Sequence, residues 1–175
     1  MSRQNDPVQR VVIVGSGGAG KSTLASELGR RTGLPVVHLD HHFWHPGWVE
    51  TPRDEWRAVQ QELFAGDEWI ADGNYSATLD ERLPRADTVV FCDFPTWRTL
   101  PRVLRRTFAN RGREVQAEGC PERLDPRFLW WVARYRYRSR PRVVRAIAEL
   151  SPGASVHVLR SSRAVQAFLD TMSSG

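Results

Sequence analysis

Apolar runs alternate with amphipathic stretches along this chain. Val11–Val14 is an unbroken β-branched run that stops at glycines, as in a strand buried on both faces. Lys21–Thr32 then sets Leu24, Ala25 and Leu28 on one helical face, with Gly33 as a C-terminal stop. Val36–Leu39 predicts a second strand ending at Asp40, and Trp69–Ala71 a third ending at Asp72-Gly73. Thr88–Cys92 predicts a fourth strand, ending at Asp93, and Ser155–Leu159 a fifth. Between the second and third, Thr51 as N-cap and Pro52 at the first helical position start a helix that runs to about Ala65. After the fourth, a helix spans about Leu100 to Asn110, with Pro101 held to its first turn because an interior proline breaks the ladder. Residues 111–126 mix Gly, Pro and charge and read as a mobile excursion. Residues 127–139 carry an Arg-Tyr alternation that suits a strand, but Phe128, Leu129, Trp131, Val132 and Tyr135 suit a helix, and the length favours the helix. Helices over Pro141–Leu150 and Ser162–Met172 complete an α/β pattern, a parallel sheet with crossover helices.

Composition narrows the class. The 175 residues, 41% hydrophobic with seven Trp, suffice for one core, and a single domain over 1–175 is expected. No run of about 18 apolar residues exists to cross a membrane. The polar start lacks the apolar run of a secretory signal, and Cys92 and Cys120 make neither a disulfide framework nor a zinc quartet. A cytoplasmic protein with no membrane partner is expected.

Charge changes the picture more. Of 25 basic residues, 24 are Arg and the remaining one is Lys21. Residues 98–145 hold 14 Arg against Glu114, Glu118, Glu122 and Asp125, while the rest of the chain is net acidic. A charge gathered in one quarter of the chain suggests a local device for handling anions.

Gly15-Ser16-Gly17-Gly18-Ala19-Gly20-Lys21-Ser22 fits G-x-x-x-x-G-K-[ST], with a strand before it and a helix after it. Glycines let successive backbone N–H groups turn inward around phosphate oxygens, and the helix adds its own N–H groups, including that of Thr23. Lys21 supplies a point charge for the terminal phosphates, and the Ser22 hydroxyl suits Mg²⁺. ATP with Mg²⁺ is the ligand this loop implies.

Ligands of open parallel sheets collect beyond the carboxyl ends of the strands, where Asp40, Asp72 and Asp93 stand. Asp72 suits a magnesium-bound water, and Asp40 suits orienting an acceptor hydroxyl or taking its proton; capping a turn is the alternative for each. His38, His41, His42 and His45 crowd Asp40 without metal-ligand spacing and read as loop histidines beside a pocket. Trp44 and Trp48 suit either stacking on a planar substrate or packing within their own loop.

With these residues in place, the chain resembles the adenylate kinase-like group of P-loop small-molecule kinases, and within it the branch called DNA topology modulation proteins. Its carriers are Gly15–Ser22, Leu39-Asp40 with Phe43-Trp44-His45-Pro46-Gly47-Trp48, Asp72-Gly73-Asn74-Tyr75, and Glu118-Gly119-Cys120-Pro121-Glu122-Arg123. The resemblance implies a five-stranded parallel sheet in the order 2-3-1-4-5. It also implies a substrate-binding segment over about 41–66 and a lid over about 110–126 between Arg-rich helices within 100–140. Asp40, Trp44, Trp48 and Asn74 then belong to the acceptor side. Arg102 is placed to lie against the nucleotide base and Arg106 to contact phosphate. The substrate-phosphate arginine of nucleoside monophosphate kinases has no counterpart after Gly73. Only Cys120 stands in the lid, so no zinc is expected there.

Two classes of function follow. In a phosphotransferase, Arg102 and Arg106 on one helix and Arg134 and Arg138 on another would converge on the triphosphate. In an ATP-dependent DNA-binding regulator, the 98–145 stripe would face outward, with Tyr135 and Tyr137 stacking on bases unless they pack between helices. The phosphotransferase is the favoured expectation. The acceptor and the oligomeric state stay open.

Overall fold

The computed structural model describes residues 8–172. β1 (Arg10–Gly15) lies at the centre, and its alternation feeds two cores: Val11 and Ile13 face one, Val12 and Val14 the other. The chain continues through α1 (Lys21–Thr32), β2 (Val36–His38), α2 (Leu39–Phe43) and a hairpin of β3 (Trp44–His45) and β4 (Val49–Glu50). Next come α3 (Arg53–Leu63), β5 (Trp69–Asp72), two 3-10 turns over 76–81 and 83–85, and β6 (Thr88–Cys92). α4 (Thr96–Ala109), α5 (Pro126–Arg138), α6 (Arg140–Leu150), β7 (Ser155–Leu159) and α7 (Ser162–Thr171) follow.

The main sheet runs β2-β5-β1-β6-β7, all parallel, which is 2-3-1-4-5 when the hairpin strands are left out. One face packs Leu24, Ala25 and Leu28 of α1 and Phe168 and Leu169 of α7 against Ile70 and Val90. The other packs Trp56 of α3 and Val143 and Ile147 of α6 against Trp69 and Val89. The fold is α/β, a parallel sheet covered on both faces.

Four local features differ from the sequence pattern. The second strand stops at His38, because Leu39 turns into α2 and buries its side chain completely, so Asp40 sits in a helical turn. Thr51 does not cap α3; its hydroxyl donates to Phe43 O at 2.7 Å, tying the base of the hairpin, and Pro52 takes the cap position. α4 begins at Thr96, which leaves the exposed Pro101 inside the helix rather than in its first turn. Residues 111–126 are organised around a buried group: Glu122 accepts from Thr107 Oγ1 at 3.0 Å, Gln116 Nε2 at 3.0 Å and Arg106 Nε at 3.3 Å. The ambiguous 127–139 stretch is helical. Asp125 caps it, accepting from Arg127 N at 2.8 Å, and Pro126 takes its first position.

Candidate active site

The loop between β1 and α1 is shaped by close backbone approach. Gly18 has φ 73°, and a Cβ there would lie 2.4 Å from Thr99 O of α4; at Gly17 it would lie 2.6 Å from the Phe128 ring of α5. Both helices of the Arg-rich quarter therefore pack directly against the glycine loop. Lys21 opens α1 and donates Nζ to Ser16 O at 3.1 Å, while Ser22 and Thr23 are exposed in the first helical turn. Gly15, Ala19 and Gly20 complete the loop, with Ala19 buried. The positive end of the α1 dipole, with the N–H groups of its first turn, gives the loop the electrostatics that suit an anion.

Strand register supplies the next group. Asp72 pairs in register with Ile13 on one side and His38 on the other, and the two neighbouring side chains bond, His38 Nδ1 to Asp72 Oδ2, at 2.8 Å. Burial alone would raise the Asp72 carboxyl, but the His38 hydrogen bond, the Lys21 charge and the nearby Ser22 hydroxyl outweigh it and hold it below the usual carboxylate range. The same bond raises His38 against the opposing effect of burial. Asp72 Oδ1 is buried without a hydrogen bond. An ionised carboxylate with one orphaned oxygen beside Lys21 and Ser22 fits a hydrated divalent cation.

On the other side, Tyr75 donates its hydroxyl to Asp40 Oδ1 at 2.5 Å. Trp44 and Trp48 meet edge to face with ring centres 5.4 Å apart, and Trp48 Nε1 donates to Pro121 O at 3.1 Å. Asn74 Oδ1 accepts from Tyr135 of α5 at 3.2 Å. The hairpin and the 111–126 loop are joined by Gly47 N to Gly119 O at 2.8 Å and Cys120 Sγ to His45 O at 3.1 Å. An open cleft of about 410 Å³ lies where they meet, with His41, Trp44 and His45 on one wall and Glu114 and Glu118 on the other.

The arginines do not all converge. Arg102 lies over the Phe94 ring at 5.3 Å, and Arg106 is held by Glu122. Arg134 and Arg138 are exposed, both against the Trp130 ring at 4.8 and 5.5 Å. Tyr135 is buried between helices, so of the two tyrosines only Tyr137 presents a free ring. Asp93 binds Arg140 at 2.7 and 2.9 Å and Arg160 at 3.2 Å, a structural clamp at the end of β6. Sequence patterning missed Arg82 altogether, and it named His38, Tyr75 and Glu122 without their partners, which lie on other elements and carry no local spacing; Tyr135 is buried, as the packing alternative expects.

A glycine loop between a central parallel strand and its helix, with a buried carboxylate one strand over, places the chain in the P-loop kinase fold. Solved structures agree. Shikimate kinase from Acinetobacter baumannii in complex with shikimate matches with TM-score 0.59 at 19% identity, over 94% of this chain and 90% of that one. Gluconokinase from Sinorhizobium meliloti 1021 gives TM-score 0.55 at 16% identity, over 97% and 95%. Deoxyadenosine kinase from M. mycoides with bound dCTP gives 0.53 at 11% identity, over 95% and 100%. The chain belongs to the family of the uncharacterized protein YqaC of Bacillus subtilis (strain 168), with 30% identity over 132 residues, 73% of this chain and 72% of that one. No protein-family model matches it. Among the described residues, no helix is long and apolar enough to cross a membrane.

Proposed function

We propose that this protein is a P-loop phosphotransferase that moves the terminal phosphoryl group of ATP to a hydroxyl of a small-molecule acceptor, as one domain acting in the cytoplasm. The observation that carries this reading is the grouping of Lys21, Ser22 and the orphaned Asp72 Oδ1 beside the glycine loop. Gly15–Thr23 would bind the phosphates, with Lys21 on the terminal ones. Ser22 directly, and Asp72 through water, would hold Mg²⁺. When bound, that ion supplies positive charge to the phosphate oxygens.

The acceptor oxygen attacks the terminal phosphorus as the bridging P–O bond breaks, and ADP leaves with the bonding pair. The hydroxyl proton passes to Asp40 or is directed by it. Trp44 lines the acceptor side, while Trp48 and Asn74 shape it with polar atoms already engaged by Pro121 and Tyr135. Arg102, Arg106, Arg134 and Arg138 serve the nucleotide once the lid closes, with Arg106 released from Glu122.

The chemistry near Asp40 bears on the acceptor. The Asp72-Gly73-Asn74-Tyr75-Ser76 segment, whose Tyr75 bonds Asp40, carries no arginine to hold an acceptor phosphate. AMP should therefore be a poor acceptor. The test is a screen of nucleosides, nucleotides, sugars and small alcohols for ATP-dependent phosphorylation. One neutral hydroxyl compound phosphorylated well above AMP is the expected result, and efficient phosphorylation of AMP contradicts it.

A second reading, nucleic-acid binding by the Arg-rich quarter, draws on the outward stacking of Arg98 on the exposed Trp97 and of Arg134 and Arg138 on the exposed Trp130.

A further inference from the structure

The turn that leaves β5 is more constrained than a connecting loop requires. Tyr75 stands at φ 25° and ψ 60°, a conformation that disfavours any residue with a Cβ and persists only where its surroundings enforce it. Arg82 does the enforcing. It is fully buried, and its guanidinium donates to Gly73 O at 3.0 Å, Asn74 O at 2.9 Å and Gln60 Oε1 at 2.7 Å. Burial pushes this guanidinium down to about 10, so it keeps its charge at neutral pH. A buried cation is thus committed to holding the two backbone carbonyls immediately before Tyr75.

The held turn delivers one contact, the Tyr75 hydroxyl on Asp40 Oδ1 at 2.5 Å. The ring is fixed between Phe43 at 4.8 Å and Trp56 at 5.1 Å. Burial first, and then the Asp40 charge, push the phenol well above the usual tyrosine range, so it stays a donor across the working pH range. Asp40 Oδ2 has no hydrogen-bond partner among the described residues.

We propose that Tyr75 is a positioning residue for phosphoryl transfer, its hydroxyl fixing the Asp40 carboxylate by one oxygen and leaving the other for the acceptor hydroxyl. This rests on the phosphotransferase reading above. Arg82 acts a step further back, by holding the strained turn from which Tyr75 reaches across. A purely structural role would instead lie in the ring packing, which Tyr75→Phe preserves.

The test compares the unaltered protein, Tyr75→Phe, Asp40→Asn and the double variant. Each is assayed for Mg-ATP turnover with the acceptor found by the screen, and with water as acceptor. Tyr75→Phe should lower kcat roughly ten- to a hundredfold, the range for losing a hydrogen bond to a charged group, with KM for ATP unchanged. In the Asp40→Asn background the same substitution should change kcat little. The hydroxyl proton of Tyr75 should give a downfield NMR resonance that is lost in Asp40→Asn. Equal kcat losses in both backgrounds, or no Asp40-dependent resonance, would overturn the role of Tyr75 alone. An unaltered protein that turns over no ATP with any acceptor or with water would overturn the phosphotransferase reading, and the role with it.

Discussion

Lys21 is the one lysine among 25 basic residues, and its Nζ already lies 3.1 Å from the carbonyl of Ser16 in the loop it serves. Lys21→Ala removes the charge that the proposed function sets on the terminal phosphates, without touching either core. Calorimetry should show Mg-ATP affinity falling by roughly ten- to a hundredfold with the melting temperature little changed, in keeping with a lost charge-assisted contact. Unchanged affinity contradicts the phosphate-loop assignment. The His38–Asp72 pair predicts a pH signature. His38 is raised above 6.5 by its bond to Asp72, so its contribution to stability is fully present below that value and is lost as pH rises through the higher folded one. His38→Gln should therefore destabilise the protein more near ~pH 5.5 than near ~pH 9, read from denaturant midpoints at the two pH values. An equal loss at both would show that His38 stays uncharged beside Asp72.

At the scale of elements, α5 has the most to do. Phe128 and Val132 lie against Gly17, and Tyr135 bonds Asn74, so one helix touches both the glycine loop and the turn after β5. Its start depends on the Asp125 cap and Pro126. Asp125→Ala should cost about 1 kcal/mol, or roughly 2–4 °C in melting temperature for a chain of this size. A thermal scan with no shift would mean that packing alone holds the helix. Local patterning carried most elements: β1, α1, β6 and α7 fall within two residues of where the apolar runs put them. It failed where tertiary packing overrode it. α4 keeps Pro101 in its interior because the proline lies on the exposed face, and Thr51 turned from capping to bracing the hairpin because Phe43 O lay within reach.

Over the whole molecule, the question is where the basic quarter spends its charge. Arg106 meets Glu122 of the 111–126 loop, while Arg134 and Arg138 stack outward on Trp130. If the quarter is a lid, Arg106→Ala should lower phosphoryl transfer by roughly ten- to a thousandfold, the range for a charge-stabilising arginine. Any affinity for DNA should then be sequence-independent and fall steeply with salt. Duplex binding that survives physiological salt, is weakened by Arg106→Ala and leaves ATP turnover intact would favour the nucleic-acid reading instead. Measuring both activities on this one variant separates the two.

The sequence alone determined the alternation of strands and helices, the glycine loop with its lysine, and the carboxylates near the strand ends. Each of these is written in neighbouring residues: side-chain period, backbone freedom and charge act over a few positions. Only the tertiary structure decided what those carboxylates touch. His38 meets Asp72 because β2 and β5 lie side by side in that register, and Tyr75 meets Asp40 because Arg82 holds a turn that no local preference would choose. Glu122, in a loop that looked like loose charged chain, became a buried acceptor only when Thr107, Arg106 and Gln116 closed around it. A buried polar group needs a partner, and which partner it finds depends on which elements adjoin, a fact about the packed chain that no window of sequence contains.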